Sequence, residues 1–147
     1  MKKVVGGMFL SLLAMQAYAD RGRIQDPVPV EYQKECGSCH VAFPAWGLDA
    51  QSWKQMMTQL DRHYGSDASL SEPLRSKIAN YLQAQSVKGK SRDAIPEKDL
   101  RMTQTAWFKK EHRKVRATEW NSVKVKTASN CVACHQGAAS GLYDDED

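Results

Sequence analysis

The sequence predicts a mainly α-helical fold made of two small units, the first helical and the second with little regular structure. Three observations point there. Apolar residues recur at helical spacing through Trp53, Met56, Met57, Leu60 and Tyr64, and again through Leu74, Ile78 and Leu82, the period of a helix face. Beyond residue 99 such runs thin out. A pentapeptide, Cys36-Gly37-Ser38-Cys39-His40, is restated near the other end as Cys131-Val132-Ala133-Cys134-His135, one copy in each unit.

C-x-x-C-H is the attachment signature of a c-type haem, and its spacing has a mechanical reason. Residues three and four apart share a face of a helical turn. Cys36 and Cys39 can therefore bond to the two vinyl positions of one porphyrin while His40 is aimed at the iron as proximal ligand. Cys131, Cys134 and His135 repeat the arrangement, and no cysteine is left over. A thioredoxin-like pair would belong in a βαβ pattern, which is absent here. Zinc sites usually join C-x-x-C to a distant histidine pair three to five residues apart, and no two histidines have that spacing. Disulfides are the remaining use of four thiols. The expected cofactors are two covalently bound haem c groups.

In chain order, Lys2 and Lys3 precede an apolar run from Val4 to about Met15, followed by Ala17-Tyr18-Ala19. This is the pattern of a cleaved secretory signal over residues 1–19, and its core is too short for a membrane span. Haem c is attached outside the bacterial cytoplasmic membrane, so the expected location is periplasmic, with no membrane insertion of the mature chain. Residues 1–19 carry two lysines and no acids, so the formal net charge falls from +4 to +2 on their removal. That is weak support for nucleic-acid binding, and none is expected. Lysines and arginines crowd the stretch from Lys88 to Lys126, while Asp144-Asp145-Glu146-Asp147 forms an acidic tail. Such runs are usually solvated faces; their functional reading is electrostatic steering of a redox partner. The protein is expected to act as a monomer.

The first unit is placed at residues 20–86. A helix from about Val30 to Cys39 carries the first motif, and the loop Val41 to Gly47, with Phe43, Pro44 and Trp46, wraps the proximal side. A carbonyl near Pro44 is expected to accept from the second ring nitrogen of His40. Asp49 is a fair N-cap for a helix to about His63, closed by Gly65. Ser71 is a natural N-cap for a helix to about Gln85. Residues 87–99, polar and charged with Gly89 and Pro96, read as a linker. In the second unit, residues 100–147, a short helix sets Phe108 and His112 one above the other. Trp120, Val123 and Val125 give a brief alternation, and Ser129 or Asn130 caps the turn of the second motif.

With His40 and His135 spent as proximal ligands, His63 and His112 remain for two irons. The simplest assignment is His40/His63 and His112/His135, with crossed ligation as the alternative. Met56, Met57 and Met102 are competing ligands, but methionine in an apolar stripe is more often core filler. Bis-His ligation also gives a lower potential than Met/His.

Over nearly the whole mature length the chain resembles the small dihaem cytochromes c called DHC. The resemblance rests on Glu35 through Phe43, Leu60-Asp61-Arg62-His63-Tyr64-Gly65, Trp107-Phe108 to Glu111-His112-Arg113, and Asn130 through His135. It implies a class-I-cytochrome-c-like N-terminal haem domain, a C-terminal haem domain with little regular structure, and bis-His ligation of both irons. It further implies electron transfer between a membrane-bound b-type cytochrome and a small high-spin cytochrome.

The residues alone reach the same class. A six-coordinate iron has no open position for substrate, so the expected function is an electron carrier and not an enzyme. The rivals are a haem enzyme or gas-binding sensor with one open iron, and a docking subunit of a larger redox complex. No hydrolase triad, phosphate-binding loop or dinucleotide fingerprint is present.

Overall fold

A computed structural model describes residues 27–87 and 99–143. The expected signal segment, most of the linker and the acidic tail lie outside these residues. Five α-helices form the described fold, α1 (Val30–Cys36), α2 (Ala50–Met57), α3 (Leu74–Ala84), α4 (Ala106–Glu111) and α5 (Ala117–Trp120). One-turn 3-10 helices at Ala45–Gly47, Leu60–Arg62, Met102–Gln104, Cys131–Ala133 and Ala138–Ser140 punctuate them. None of the described residues forms an extended strand, and none of the described helices is long and apolar enough to cross a membrane.

Such short helices are marginal in isolation and depend on packing. Here α2 and α3 pack together, and α1 also lies against α3. Tyr32, Leu48, Trp53, Met56, Met57, Ile78 and Leu82 form the buried centre. Leu48, Ile78 and Leu82 are essentially inaccessible, and each such side chain contributes about 1.5–3 kcal/mol by leaving water. The three competing methionine ligands, Met56, Met57 and Met102, all belong to this core. Tyr64, assigned to the same stripe, is instead exposed.

Helix ends differ from the periodicity. Asp49 caps α2 as expected, its carboxylate accepting from the Gln51 and Ser52 N–H groups at 2.9 and 3.0 Å. The helix then stops at Met57, where Thr58 Oγ1 donates to the Gln55 carbonyl at 2.7 Å. His63 is reached through the 3-10 turn Leu60–Arg62. A tight turn follows, in which Ser66 N–H donates to the His63 carbonyl and Gly65 takes φ +95°, a conformation that favours glycine. Helix α1 ends at Cys36, short of Cys39. Helix α3 begins at Leu74; Ser71 provides no side-chain cap, and Glu72 accepts from the Ser76 N–H instead. The alternation at Trp120, Val123 and Val125 makes no strand: Val123 is 89% exposed, and Val125 is buried at a turn held by Ser122 Oγ.

Beyond residues 88–98 the chain returns to the first unit's core. Met102 is buried there, with Leu100 and Trp107 packed alongside. The Trp107 indole N–H donates to the Gly47 carbonyl at 2.8 Å, and its ring lies 5.1 Å from that of Trp46. The two units therefore share one apolar core.

Candidate haem sites

The first motif straddles the end of a helix. Cys36 is the last residue of α1 and half-buried, Cys39 is exposed on the following turn, and Ser38 Oγ ties that turn back to the Glu35 carbonyl at 2.9 Å. His40 Nδ1 lies 2.8 Å from the Val41 carbonyl. The expected acceptor near Pro44 is otherwise engaged: Pro44 accepts from Gly47 N–H in the 3-10 turn, and Phe43 accepts from Tyr32 Oη at 2.5 Å. With Nδ1 held, Nε2 is the ring nitrogen left to face a metal.

The structure brings His63 opposite His40, with ring centroids 6.3 Å apart and planes 25° from parallel. Phe43 lies against His40, and Tyr64 lies edge-on to His63. From the second unit, Arg101 sits over the Tyr64 ring at 4.1 Å. Burial first, then His40 and Arg101, hold His63 below the ordinary histidine range, which favours the neutral imidazole.

The second site is built from shorter pieces. Thr105 caps α4 through Phe108 N–H, and His112 takes the C-cap, its Nδ1 2.9 Å from the Phe108 carbonyl. Phe108 and His112 stack at 4.0 Å, as the short-helix reading expected. Trp120 from α5 lies 5.7 Å from His112. The second motif forms the 3-10 turn Cys131–Ala133, with His135 N–H donating to the Cys131 carbonyl at 2.8 Å. Asn130 does not cap that turn; its amide donates to the Lys124 and Val125 carbonyls. His135 faces His112 with centroids 6.0 Å apart and planes at 87°.

These spacings fit an iron. Two imidazoles bonded through nitrogen on opposite sides of one metal, at about 2 Å each, have centroids about 6 Å apart. All four thiols are free, so the disulfide alternative is not realised. Burial raises Cys36 to about 11 and also raises Cys131, as befits sulfurs in apolar surroundings. Among the described residues no group of three or more His, Cys, Asp or Glu side chains is placed to hold a metal ion by itself. Three buried polar atoms, His63 Nδ1, Trp46 Nε1 and Tyr143 Oη, meet no hydrogen-bonding partner among the described residues. That is the condition expected where a polar prosthetic group completes a pocket.

Sequence reasoning placed Trp46 only in a loop and gave Tyr143 no role. The available signal was a single aromatic residue beyond the second motif, after a stretch dominated by glycine and alanine.

The family model for dihaem cytochrome c matches residues 32–143. A crystal structure of DHC purified from Rhodobacter sphaeroides is 38% identical, with a TM-score of 0.65, covering 81% of this chain and 97% of that one. A second structure of the diheme cytochrome c from Rhodobacter sphaeroides is 37% identical, with a TM-score of 0.68 and the same coverage. The diheme cytochrome type c from Shewanella baltica OS155 is 31% identical, with a TM-score of 0.67, covering 80% of this chain and 89% of that one. No curated protein matches the chain. With two imidazole pairs at iron spacing, two C-x-x-C-H motifs and these likenesses, the chain belongs to the dihaem cytochrome c family, carries two haem c groups and has the electron-transfer chemistry that family implies.

Proposed function

We propose that the protein is a periplasmic electron carrier in which both haems are bis-His six-coordinate. Cys36 and Cys39 hold the first haem and Cys131 and Cys134 the second through thioethers; His40 with His63, and His112 with His135, are the axial ligands. The observation that carries this reading is the pair of facing imidazoles at 6.3 and 6.0 Å, which favours uncrossed ligation. When bound, the haem iron supplies one-electron redox chemistry. The chain fixes the rings by Nδ1 contacts to Val41 and Phe108 and closes both axial positions.

The partners in this reading are a membrane-bound b-type cytochrome and a small soluble high-spin cytochrome. Around the second site Lys110, Arg113, Lys114, Arg116, Lys124 and Lys126 are all exposed, which supports docking of an acidic partner surface by steering that salt would weaken.

The test is the optical spectrum of the haem-loaded protein, oxidised and reduced, before and after carbon monoxide. Two low-spin haems and an unchanged spectrum are expected. A high-spin band, or carbon monoxide binding to one haem, would overturn bis-His ligation and favour an open-iron enzyme or sensor.

A further inference from the structure

Of the three buried polar atoms without a partner among the described residues, His63 Nδ1 belongs to the ligand set just proposed. The other two, Trp46 Nε1 and Tyr143 Oη, do not. They come from opposite ends of the described chain, Trp46 from the 3-10 turn after the first motif and Tyr143 from the segment after the second. Even so, their rings are neighbours, with centroids 6.4 Å apart and planes at 89°. Tyr143 also lies 6.0 Å from the His135 ring.

Two other indoles in the same core show the contrast. Trp53 Nε1–H donates to the Ala45 carbonyl at 2.6 Å, and Trp107 Nε1–H donates to the Gly47 carbonyl at 2.8 Å. The carbonyls on either side of Trp46 thus serve other tryptophans, while the Trp46 N–H itself is left over. An indole N–H can only donate, and a phenol is protonated at neutral pH. Buried donors left unmade carry the full cost of their lost hydration. Both donors, carried on neighbouring rings, lack an acceptor among the described residues, and a carboxylate has lone pairs enough to accept from two donors at once. A haem attached at Cys131 and Cys134, beside His135 and Tyr143, would supply two propionate carboxylates.

We propose that Trp46 Nε1–H and Tyr143 Oη–H together hold one propionate carboxylate of the haem attached at Cys131 and Cys134, so that a turn of the first unit closes the pocket of the second haem. This rests on the attachment and ligation proposed above. Trp46 and Tyr143 are positioning residues: their hydrogen bonds draw charge from the carboxylate and so weaken its stabilisation of ferric iron. Removing either donor lowers the potential of that haem.

The experiment uses the full-length holoprotein, fully reduced and labelled with 15N-tryptophan, studied by NMR. The Trp46 indole resonance is identified by its loss in Trp46→Phe. It is expected to exchange slowly with deuterated solvent and to show Overhauser contacts to the propionate methylenes of the second haem. In redox titrations, Trp46→Phe and Tyr143→Phe are each expected to lower one midpoint potential and leave the other unmoved. Contacts to the first haem's propionates, no propionate contact at all, or unmoved potentials would each overturn the anchor. Failure of the ligation reading looks different, since an open high-spin iron broadens the reduced spectrum and binds carbon monoxide. In that event the Trp46→Phe titration still decides the anchor.

Discussion

Gly47 and Met102 come from the two units and meet in one core, so their substitution measures whether the units are joined. A Cβ on Gly47 would lie 2.5 Å from Met102 Sδ and closer still to its Cε. Met102 is 4% exposed and has little room to withdraw, although its unbranched chain can rotate away in part. Gly47→Ala should therefore cost about 1–3 kcal/mol by overpacking. Met102→Ala, which removes a buried side chain, should cost about 2–4 kcal/mol. In the double variant the new methyl occupies space that Met102 has left, so the combined cost should fall short of the sum by about 1 kcal/mol or more. The assay is thermal unfolding of the holoprotein followed by far-ultraviolet circular dichroism, where each kcal/mol moves Tm by roughly 3–5 °C for a chain of this size. Additivity within about 0.3–0.5 kcal/mol would refute the close packing of Gly47 against Met102 on which this reasoning rests.

Two further outcomes follow from the geometry. Near-parallel axial imidazoles split the iron d orbitals unequally, whereas perpendicular ones leave two nearly degenerate. With ring planes at 25° for His40/His63 and 87° for His112/His135, the oxidised protein should give one rhombic low-spin EPR signal and one dominated by a single large g value; two rhombic signals would contradict the second pair's geometry. Asp49→Ala removes the cap of α2, whose carboxylate also accepts from Ser52 Oγ, and should cost about 1 kcal/mol with Asp49→Asn recovering most of it, as read by Tm; an unchanged Tm would mean the cap contributes nothing.

Legibility followed sequence distance. The motif spacing, the Asp49 cap and the Phe108/His112 stack each depend on residues within four positions of one another, where covalent geometry and helical period fix what can meet. Ends and exits were less visible. Periodicity carried α2 to His63, but Thr58 takes a helix carbonyl and a 3-10 turn delivers the histidine instead. The carbonyl beside His40 Nδ1 is that of the next residue, Val41, while those of Phe43 and Pro44 accept from Tyr32 and Gly47, an arrangement that no local pattern records.

By itself the sequence determined the class of cofactor and the family, since a covalently attached porphyrin demands particular residues at a particular spacing. The count of histidines left His63 and His112 as the histidine candidates for the distal sites, with Met56, Met57 and Met102 still competing. Only the tertiary structure decided which imidazoles face each other. It also decided that Met102 and Trp107 return to the first unit's core, and that the neighbouring rings of Trp46 and Tyr143 each keep a buried donor without a partner among the described residues. The physical reason is that loops and 3-10 turns have no period to read: their side chains are placed by packing between residues far apart in the chain.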